Sequence, residues 1–219
     1  MKVICFDLDD TLYKEIDYLK SAYQEICERI HSVTSIENRL ACEDLVEAYY
    51  RGENVFEYVN RSCHIDLPIE TYLNWYRLHE PQLKLSEAVE SVLSFFQEKQ
   101  WIIGLITDGR SITQRNKIKA LSLSRFIDNS NILISEEFGS EKPNLKNYLY
   151  FQEKYPLSSY YYIGDNPKKD FITPNQLGWT KIGLIDDGRN IHKQNVSYPK
   201  ENAPSYWIAE IQEVKQIIR

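Results

Sequence analysis

Short apolar segments of strand length recur along this 219-residue sequence, separated by segments of helix length. Most of these runs are continuous, not alternating with polar residues, which is typical of strands buried on both faces of a sheet. They occur at Lys2–Phe6, Trp101–Ile106, Ile132–Ser135, Tyr160–Ile163, Thr180–Leu184 and, more weakly, Tyr206–Ala209. Strands that alternate with helices predict an α/β fold with a doubly wound parallel sheet.

Two of the helix-length segments carry recognisable start signals. Leu85–Gln100 has apolar residues at helical spacing, and Ser86 is placed as its N-cap. Ser111 followed by Gln114 has the pattern of a capping box and predicts a helix that runs to Ala120.

Residues 15 to 81 interrupt the alternation of strands and helices. This block contains helical patterns and no convincing strand. The patterns cover Ile16–Ile30, Ile36–Tyr50, Val55–Arg61 and Glu70–Arg77. A block of roughly 65 residues is long enough for a small helical bundle with its own core. We therefore expect an α/β core formed by residues 1–14 and 82–219, with an all-helical domain of residues 15–81 inserted after the first strand.

The charge and the apolar content of the sequence indicate which classes of partner to expect. The 26 basic and 32 acidic side chains give a net charge of −6, and no dense Lys/Arg run stands out, so nucleic acid is not expected as a partner. No stretch approaches the length of a membrane span, and the apolar run at the amino terminus is too short for a signal peptide. The 4 cysteines lack metal-site spacing. Together these features predict a reduced, cytoplasmic protein without a membrane partner.

An acidic pair follows the first apolar run. Asp7 and Asp9 are two residues apart at the end of the strand predicted over Lys2–Phe6. The two-residue period of a strand directs both carboxylates to the same side, and in open α/β sheets this end of the strand faces the ligand crevice. Carboxylates held so close repel each other unless a cation or a proton lies between them. The pair therefore predicts a bound hard cation with oxygen ligands, above all Mg2+.

Three further polar segments follow buried runs in order along the chain. Thr107, Asp108 and Gly109 come at the end of the second run, just before a predicted helix whose first N–H groups suit an anion. Lys142 precedes a proline and the start of another helix. Asp165 and Asp170 follow the run at Tyr160–Ile163.

The four segments resemble, in the same order, the four signature motifs of the haloacid dehalogenase (HAD) superfamily, most of whose members are Mg2+-dependent phosphatases. The resemblance covers residues 1–14 and 82–219 and implies a Rossmann-like core. The helical insert of residues 15–81 is similar to the family's C1-type cap. The resemblance implies a phosphoric monoester hydrolase with Mg2+ as cofactor and a small phosphorylated metabolite as substrate.

The resemblance also implies a role for each motif residue. Asp7 is the nucleophile that becomes an aspartyl-phosphate, and Asp9 is the general acid and base. The presence of Asp9 indicates phosphate esters rather than carbon–halogen bonds as substrates. Thr107, with Asp108 and Gly109, holds the phosphoryl oxygens, and Lys142 offsets their charge. Mg2+ is bound by Asp7, the main-chain carbonyl of Asp9 and Asp165, while Asp170 binds it through water or orients Lys142.

Two other functions stay open at this point. One is a phosphomutase of the same fold, and the other is a phospho-accepting signalling or binding protein without turnover. The substrate class implied by the resemblance is a sugar phosphate or a nucleoside monophosphate, and the oligomeric state is open, a monomer included. The polar or aromatic candidates for substrate specificity are Tyr13, Arg51, Asn54, Arg61, Trp75 and Arg77. The histidines fall in none of the motifs and are expected at the surface or in the core.

Overall fold

The computed structural model describes residues 1–33, 42–194 and 198–218. Within these ranges the chain forms two compact units, one of residues 1–16 and 84–219 and the other of residues 17–83. The first part of the helix predicted over Ile36–Tyr50 lies outside the described residues. Among the described residues, no helix combines the length and the apolar character that crossing a membrane requires.

The first unit is built on a six-stranded sheet in which every pairing is parallel. The strands are β1 (Lys2–Phe6), β2 (Ile102–Thr107), β3 (Ile132–Ile134), β4 (Ser159–Gly164), β5 (Thr180–Leu184) and β6 (Tyr206–Ile208). Their order across the sheet is β3-β2-β1-β4-β5-β6. This is a doubly wound α/β sheet, so the fold class predicted from the alternating pattern is confirmed.

Helices precede, connect or follow the strands of this unit. They are α5 (Glu87–Glu98), α6 (Ser111–Ala120), α7 (Ser135–Phe138), α8 (Leu145–Lys154), α9 (Ile172–Gln176) and α10 (Val214–Ile217). The predicted N-cap of α5 is confirmed, because the Ser86 hydroxyl accepts a hydrogen bond of 3.3 Å from the N–H of Val89. The apolar face of α5 is buried through Val89, Val92, Leu93 and Phe96.

The predicted capping box of α6 is wrong. Ser111 is already the first helical residue, and the residue before it, Arg110, makes no side-chain cap. The Gln114 amide instead donates to Asp9, Thr107 and the carbonyl of Asp108. The N–H of Ser111, which a capping box would direct to the Gln114 side-chain oxygen, donates to Glu136 Oε2 at 2.7 Å instead.

The sheet packs against an apolar core. Buried residues on one side include Val3, Tyr148, Phe151, Tyr162 and Trp179. Cys5 belongs to the same cluster and is free and buried, as its apolar neighbours predict. Residues of β1 and β2 are buried along almost their whole length, so these strands fix the positions of the polar residues at their ends.

The second unit is helical. It contains residues 17–33 of α1 (Glu15–Val33), then α2 (Cys42–Tyr50), α3 (Val55–Cys63) and α4 (Ile69–Leu78). Several of the specificity candidates have partners inside this unit. The Asn54 side chain caps α3 by accepting from the N–H groups of Phe56 and Glu57, and Arg51 and Arg61 both pair with Glu53. Arg77 pairs with Glu70.

Candidate active site

Three strand ends meet at the point where the sheet order reverses. Asp7 follows β1, Thr107 ends β2 and Asp165 follows β4, so parallel pairing of these three strands brings the residues together. The N–H of Asp7 donates to the carbonyl of Ile163 at 2.9 Å, which extends the β1–β4 ladder to Asp7. A cavity of about 150 Å3 opens there. This is the crevice in which open α/β sheets bind ligands.

Lys142 lies between two buried carboxylates. Its Nζ donates to Asp7 Oδ1 at 2.7 Å and to Asp170 Oδ1 at 2.8 Å, and its side chain is only 4% exposed. Burial alone would lower the pKa of Lys142, but the charges of Asp170 and Asp7 raise that pKa well above its usual value. The ammonium therefore stays charged and neutralises part of the acidic cluster.

The acidic cluster consists of Asp7, Asp165 and Asp170, which each offer an oxygen atom within 4.8 Å of the others. Burial, followed by Asp170 and Asp9 as neighbouring charges, raises the pKa of Asp7 to about 8 even though Lys142 opposes the shift. Burial and the charges of Asp170 and Asp7 raise the pKa of Asp165 to about 9. Buried oxygens that repel each other in this way fit a hard divalent cation.

The loop after β5 fixes Asp165. Asn190 Nδ2 donates to Asp165 Oδ2 at 2.8 Å, and Asn190 Oδ1 accepts from Lys14 Nζ at 2.7 Å. Gln194 Nε2 donates to the carbonyl of Asp165 at 2.7 Å. One oxygen of Asp165 is thus bound by an amide, which leaves the other, Oδ1, as the candidate metal ligand. No sequence motif marks Asn190 or Gln194, so sequence reasoning missed both.

Asp170 uses both of its carboxylate oxygens within the protein. Oδ1 accepts from Lys142, and Oδ2 accepts from the N–H of Asn166 at 2.9 Å. The main chain at Gly164 passes so close that a Cβ there would lie 2.4 Å from Asp170 Oδ2. These contacts favour the orientation of Lys142 as the role of Asp170.

The segment at the end of β2 contributes two of its three expected residues to the cavity. Thr107 and Asp108 line it, and Asp108 Oδ1 accepts from the N–H of Lys142 at 2.9 Å. Gly109, with φ of 141°, is not among the described residues that line this cavity, and its N–H donates to Ser135 Oγ at 3.0 Å. The expectation that Gly109 helps to hold the phosphoryl oxygens stays a prediction.

Asp9 is surrounded by hydrogen-bond donors. Its Oδ1 accepts from Tyr13 OH at 2.5 Å and from Lys117 Nζ at 2.8 Å, and its Oδ2 accepts from Gln114 Nε2 at 2.9 Å. Burial would raise the pKa of Asp9, but the Lys117 charge and these hydrogen bonds outweigh burial and lower it. Tyr13, a specificity candidate from the sequence, lies against Asp9, whereas the contacts of Lys117 and Gln114 with Asp9 were not predicted. Their spacing of three residues puts them on one helix face, but nothing in the local sequence connects that face to Asp9.

Other polar residues complete the cavity lining. Asp10 binds its own loop through the N–H of Glu15 and also binds the loop after β5 through the N–H of Ile191. Glu15 lines the cavity, as do Lys169 and His192, the latter an exposed histidine outside every motif. Burial, then the charge of Asp9, raises the pKa of Glu15 to about 7.

Known proteins resemble all or part of this chain. It is 25% identical to a glyceraldehyde 3-phosphate phosphatase of Methanocaldococcus jannaschii, over all of this chain and 97% of that protein. It is 29% identical to the pyrimidine 5'-nucleotidase YjjG of Escherichia coli, over 53% of this chain and 49% of that protein. In structure it is similar to the HAD-hydrolase YfnB of Bacillus subtilis bound to magnesium, with a TM-score of 0.73. The two chains are 22% identical, and the match covers 100% of this chain and 98% of YfnB.

A family model places the chain among known enzymes. The model for haloacid dehalogenase-like hydrolases matches residues 4–183, which include all four motifs and the helical insert. The order β3-β2-β1-β4-β5-β6 and the acidic cluster at its switch point agree with that match. This chain is a member of the haloacid dehalogenase-like hydrolase family.

Proposed function

We propose that this protein is a Mg2+-dependent phosphatase that hydrolyses a small phosphate monoester through an aspartyl-phosphate on Asp7. The observation that carries the proposal is the placement of Asp7. Its carboxylate is bound by the Lys142 ammonium at 2.7 Å inside a buried acidic cluster, and Asp9 lines the same cavity two residues later. A nucleophile, a phosphate-neutralising cation and an acid are thereby available around one cavity.

The first displacement uses Asp7 and Asp9. A carboxylate oxygen of Asp7 attacks phosphorus, the bond from phosphorus to the ester oxygen breaks, and Asp9 in its protonated form gives its proton to the leaving alcohol. Thr107 and Lys142 bind the phosphoryl oxygens as charge moves onto them.

The second displacement returns the enzyme to its starting state. Asp9, now a carboxylate, accepts a proton from water as that water attacks phosphorus, and the bond between phosphorus and Asp7 breaks. Inorganic phosphate leaves. The donors around Asp9 favour its carboxylate form, which is the form that this step requires.

Asp7, the main-chain carbonyl of Asp9 and Asp165 would hold the Mg2+ ion, and Asp170 would orient Lys142. When bound, Mg2+ supplies positive charge that screens the repulsion between Asp7 and the incoming phosphate. The mutual repulsion of the buried carboxylates supports this assignment, as does the magnesium bound to the structurally similar YfnB.

The proposed substrate class is a sugar phosphate. Relatives named as glyceraldehyde 3-phosphate phosphatases match this chain over its full length. A nucleoside monophosphate is the second candidate, supported by the partial match to the pyrimidine 5'-nucleotidase. We further propose that the helical unit of residues 17–83 serves as the cap that selects among such substrates.

Hydrolysis of an aryl phosphate by the purified protein, with Mg2+ and with a chelator, tests this function. We expect chelator-sensitive release of phosphate that is lost in Asp7→Asn and retained in Asp66→Asn, a matched change at an exposed position. Active protein is then compared on sugar phosphates and nucleoside monophosphates. Transfer to a phosphosugar acceptor instead of water would favour a phosphomutase, and Mg2+ binding without turnover would favour a binding protein.

A further inference from the structure

Helix α6 presents two polar side chains to Asp9. Lys117 Nζ donates to Asp9 Oδ1 at 2.8 Å, and Gln114 Nε2 donates to Asp9 Oδ2 at 2.9 Å. The two residues are three apart, so they lie on the same face of the helix. One helix thus binds both oxygens of a single carboxylate, which defines the plane of that carboxylate as well as its position.

Both side chains are buried. The Lys117 side chain is 3% exposed, and Gln114 is 1% exposed. Removing an ammonium from water costs several kcal/mol unless it is paired and hydrogen-bonded. Asp9 pairs with Lys117 at 2.8 Å, and Glu15 lies 3.4 Å from the same nitrogen. The buried ammonium is therefore stabilised by these two carboxylates, and it fixes their positions in turn.

Gln114 also connects Asp9 to the end of β2. The same amide nitrogen donates to Thr107 Oγ1 at 2.6 Å and to the carbonyl of Asp108 at 3.0 Å. Its two hydrogens are shared among three oxygens. The position of the Asp9 carboxylate is consequently tied to the hydroxyl that we assign to the phosphoryl group.

Lys117 and Gln114 do not line the cavity in which the substrate would bind. Among the described residues that line the cavity are Asp9, Glu15 and Thr107, but neither Lys117 nor Gln114 is one of them. Any effect of these two side chains on the reaction must pass through the residues that they hold.

We propose that Lys117 and Gln114 are positioning residues that hold the Asp9 carboxylate in the orientation needed for proton transfer. The inference rests on the proposed function, because it concerns the contacts of Asp9, the general acid and base of the proposed phosphatase. Lys117 fixes Oδ1, while Gln114 fixes Oδ2 relative to Thr107.

Steady-state kinetics of Lys117→Met with an aryl phosphate and Mg2+ tests this inference. Methionine keeps the length of the side chain and removes the ammonium. We expect kcat to fall by about 10- to 100-fold, the cost of misplacing a catalytic group. KM should not rise, because the residue does not line the cavity. Lys119→Met, a change at an exposed position of the same helix, should keep the wild-type kcat.

A double-mutant cycle with Asp9→Asn separates positioning from general support of the fold. If Lys117 acts through Asp9, adding Lys117→Met to Asp9→Asn should lower the residual kcat by less than about twofold. Losses that multiply in the double variant would overturn the inference, as would a wild-type kcat for Lys117→Met. Should Lys117→Met fail to fold, judged by its circular dichroism, Gln114→Met takes its place in the same cycle. Its loss of kcat should be smaller in the Asp9→Asn background than in wild type, where the remainder reports its contact with Thr107. A loss of the same size in both backgrounds would overturn the inference.

The outcomes also distinguish this inference from the proposed function. A wild-type protein without chelator-sensitive hydrolysis contradicts the phosphatase itself. An active wild type whose Lys117 and Gln114 variants are equally active contradicts only the positioning of Asp9.

Discussion

At the scale of single residues, the site is a balance between buried charges of opposite sign. Lys142 satisfies one oxygen each of Asp7 and Asp170, while Lys117 satisfies Asp9. Each lysine is buried among carboxylates that would otherwise repel one another. Such pairs stabilise the fold only weakly once desolvation is included, so their main effect is to define positions.

Gly164→Ala is expected to displace Asp170 and so to disturb Lys142. A Cβ at this position would lie 2.4 Å from Asp170 Oδ2, a distance that forces one of the two to move. We expect kcat with an aryl phosphate to fall at least about 10-fold.

Gly104→Ala is the matched control, because its Cβ would meet Phe151 and Cys5 in the core instead of a site residue. It should lower the melting temperature while the folded fraction keeps a near-wild-type kcat. Equal kcat values for Gly164→Ala and wild type would show that Asp170 need not be held in this position.

Glu15 makes the stability of the metal-free protein depend on pH. Burial and the charge of Asp9 raise its pKa from 4.5 to about 7 in the folded state. The folded protein therefore binds this proton more tightly than the unfolded chain, so the stabilisation is complete below about pH 4.5 and is lost as the pH rises through 7. Between these two pH values the free energy of unfolding should fall less in Glu15→Gln than in wild type. The two falls should differ by on the order of 1 to 3 kcal/mol.

Urea unfolding at several pH values in the presence of a chelator measures this difference. Glu98→Gln, at an exposed position in α5, controls for the loss of one acidic side chain. Parallel pH profiles for wild type and Glu15→Gln would argue against a raised pKa at Glu15.

At the scale of secondary-structure elements, the apolar pattern of the sequence predicted the strands well. Continuous runs such as Lys2–Phe6 and Thr180–Leu184 match the observed strands, because burial on both faces admits few polar residues. The start of α6 was predicted with the wrong cap, since a capping box and a tertiary contact of Gln114 have the same local sequence. Helices α9 and α10 contain five and four residues, too few to show a helical period.

Ser86→Ala tests a local signal that the structure confirms. The serine hydroxyl accepts from the N–H of Val89, and its loss leaves that N–H without this partner. We expect the unfolding free energy to fall by about 1 kcal/mol. Ser94→Ala, within the same helix, should leave stability unchanged or slightly higher because alanine is the better helix former. Thermal or urea unfolding distinguishes the two variants, and equal stabilities would contradict the capping role.

At the scale of the whole molecule, the sheet order explains how much of the site the sequence could predict. Asp7, Thr107 and Asp165 each lie at or just after the end of a buried strand, so parallel pairing alone brings them together. Lys117 and Asn190 come from a helix and a loop whose placement depends on tertiary packing. Local sequence carries no record of that packing, which is why neither was predicted.

Mg2+ is expected to stabilise the protein against heating. A ligand that binds only the folded state adds about 2.7 kcal/mol at 100 times its dissociation constant. The melting temperature should rise with Mg2+, return to its metal-free value with a chelator, and respond much less in Asp165→Asn. A melting temperature of wild type that is indifferent to Mg2+ would contradict the assignment of the acidic cluster as a metal site.

The central claim is that Asp7 carries the phosphoryl group, and locating that group on the protein tests it most directly. Asp9→Asn protein, which lacks the base for the second displacement, is mixed with an aryl phosphate and Mg2+ and quenched, and its peptides are analysed by mass spectrometry. The account predicts one phosphoryl group, on the peptide that contains Asp7. A phosphoryl group on any other residue would contradict it.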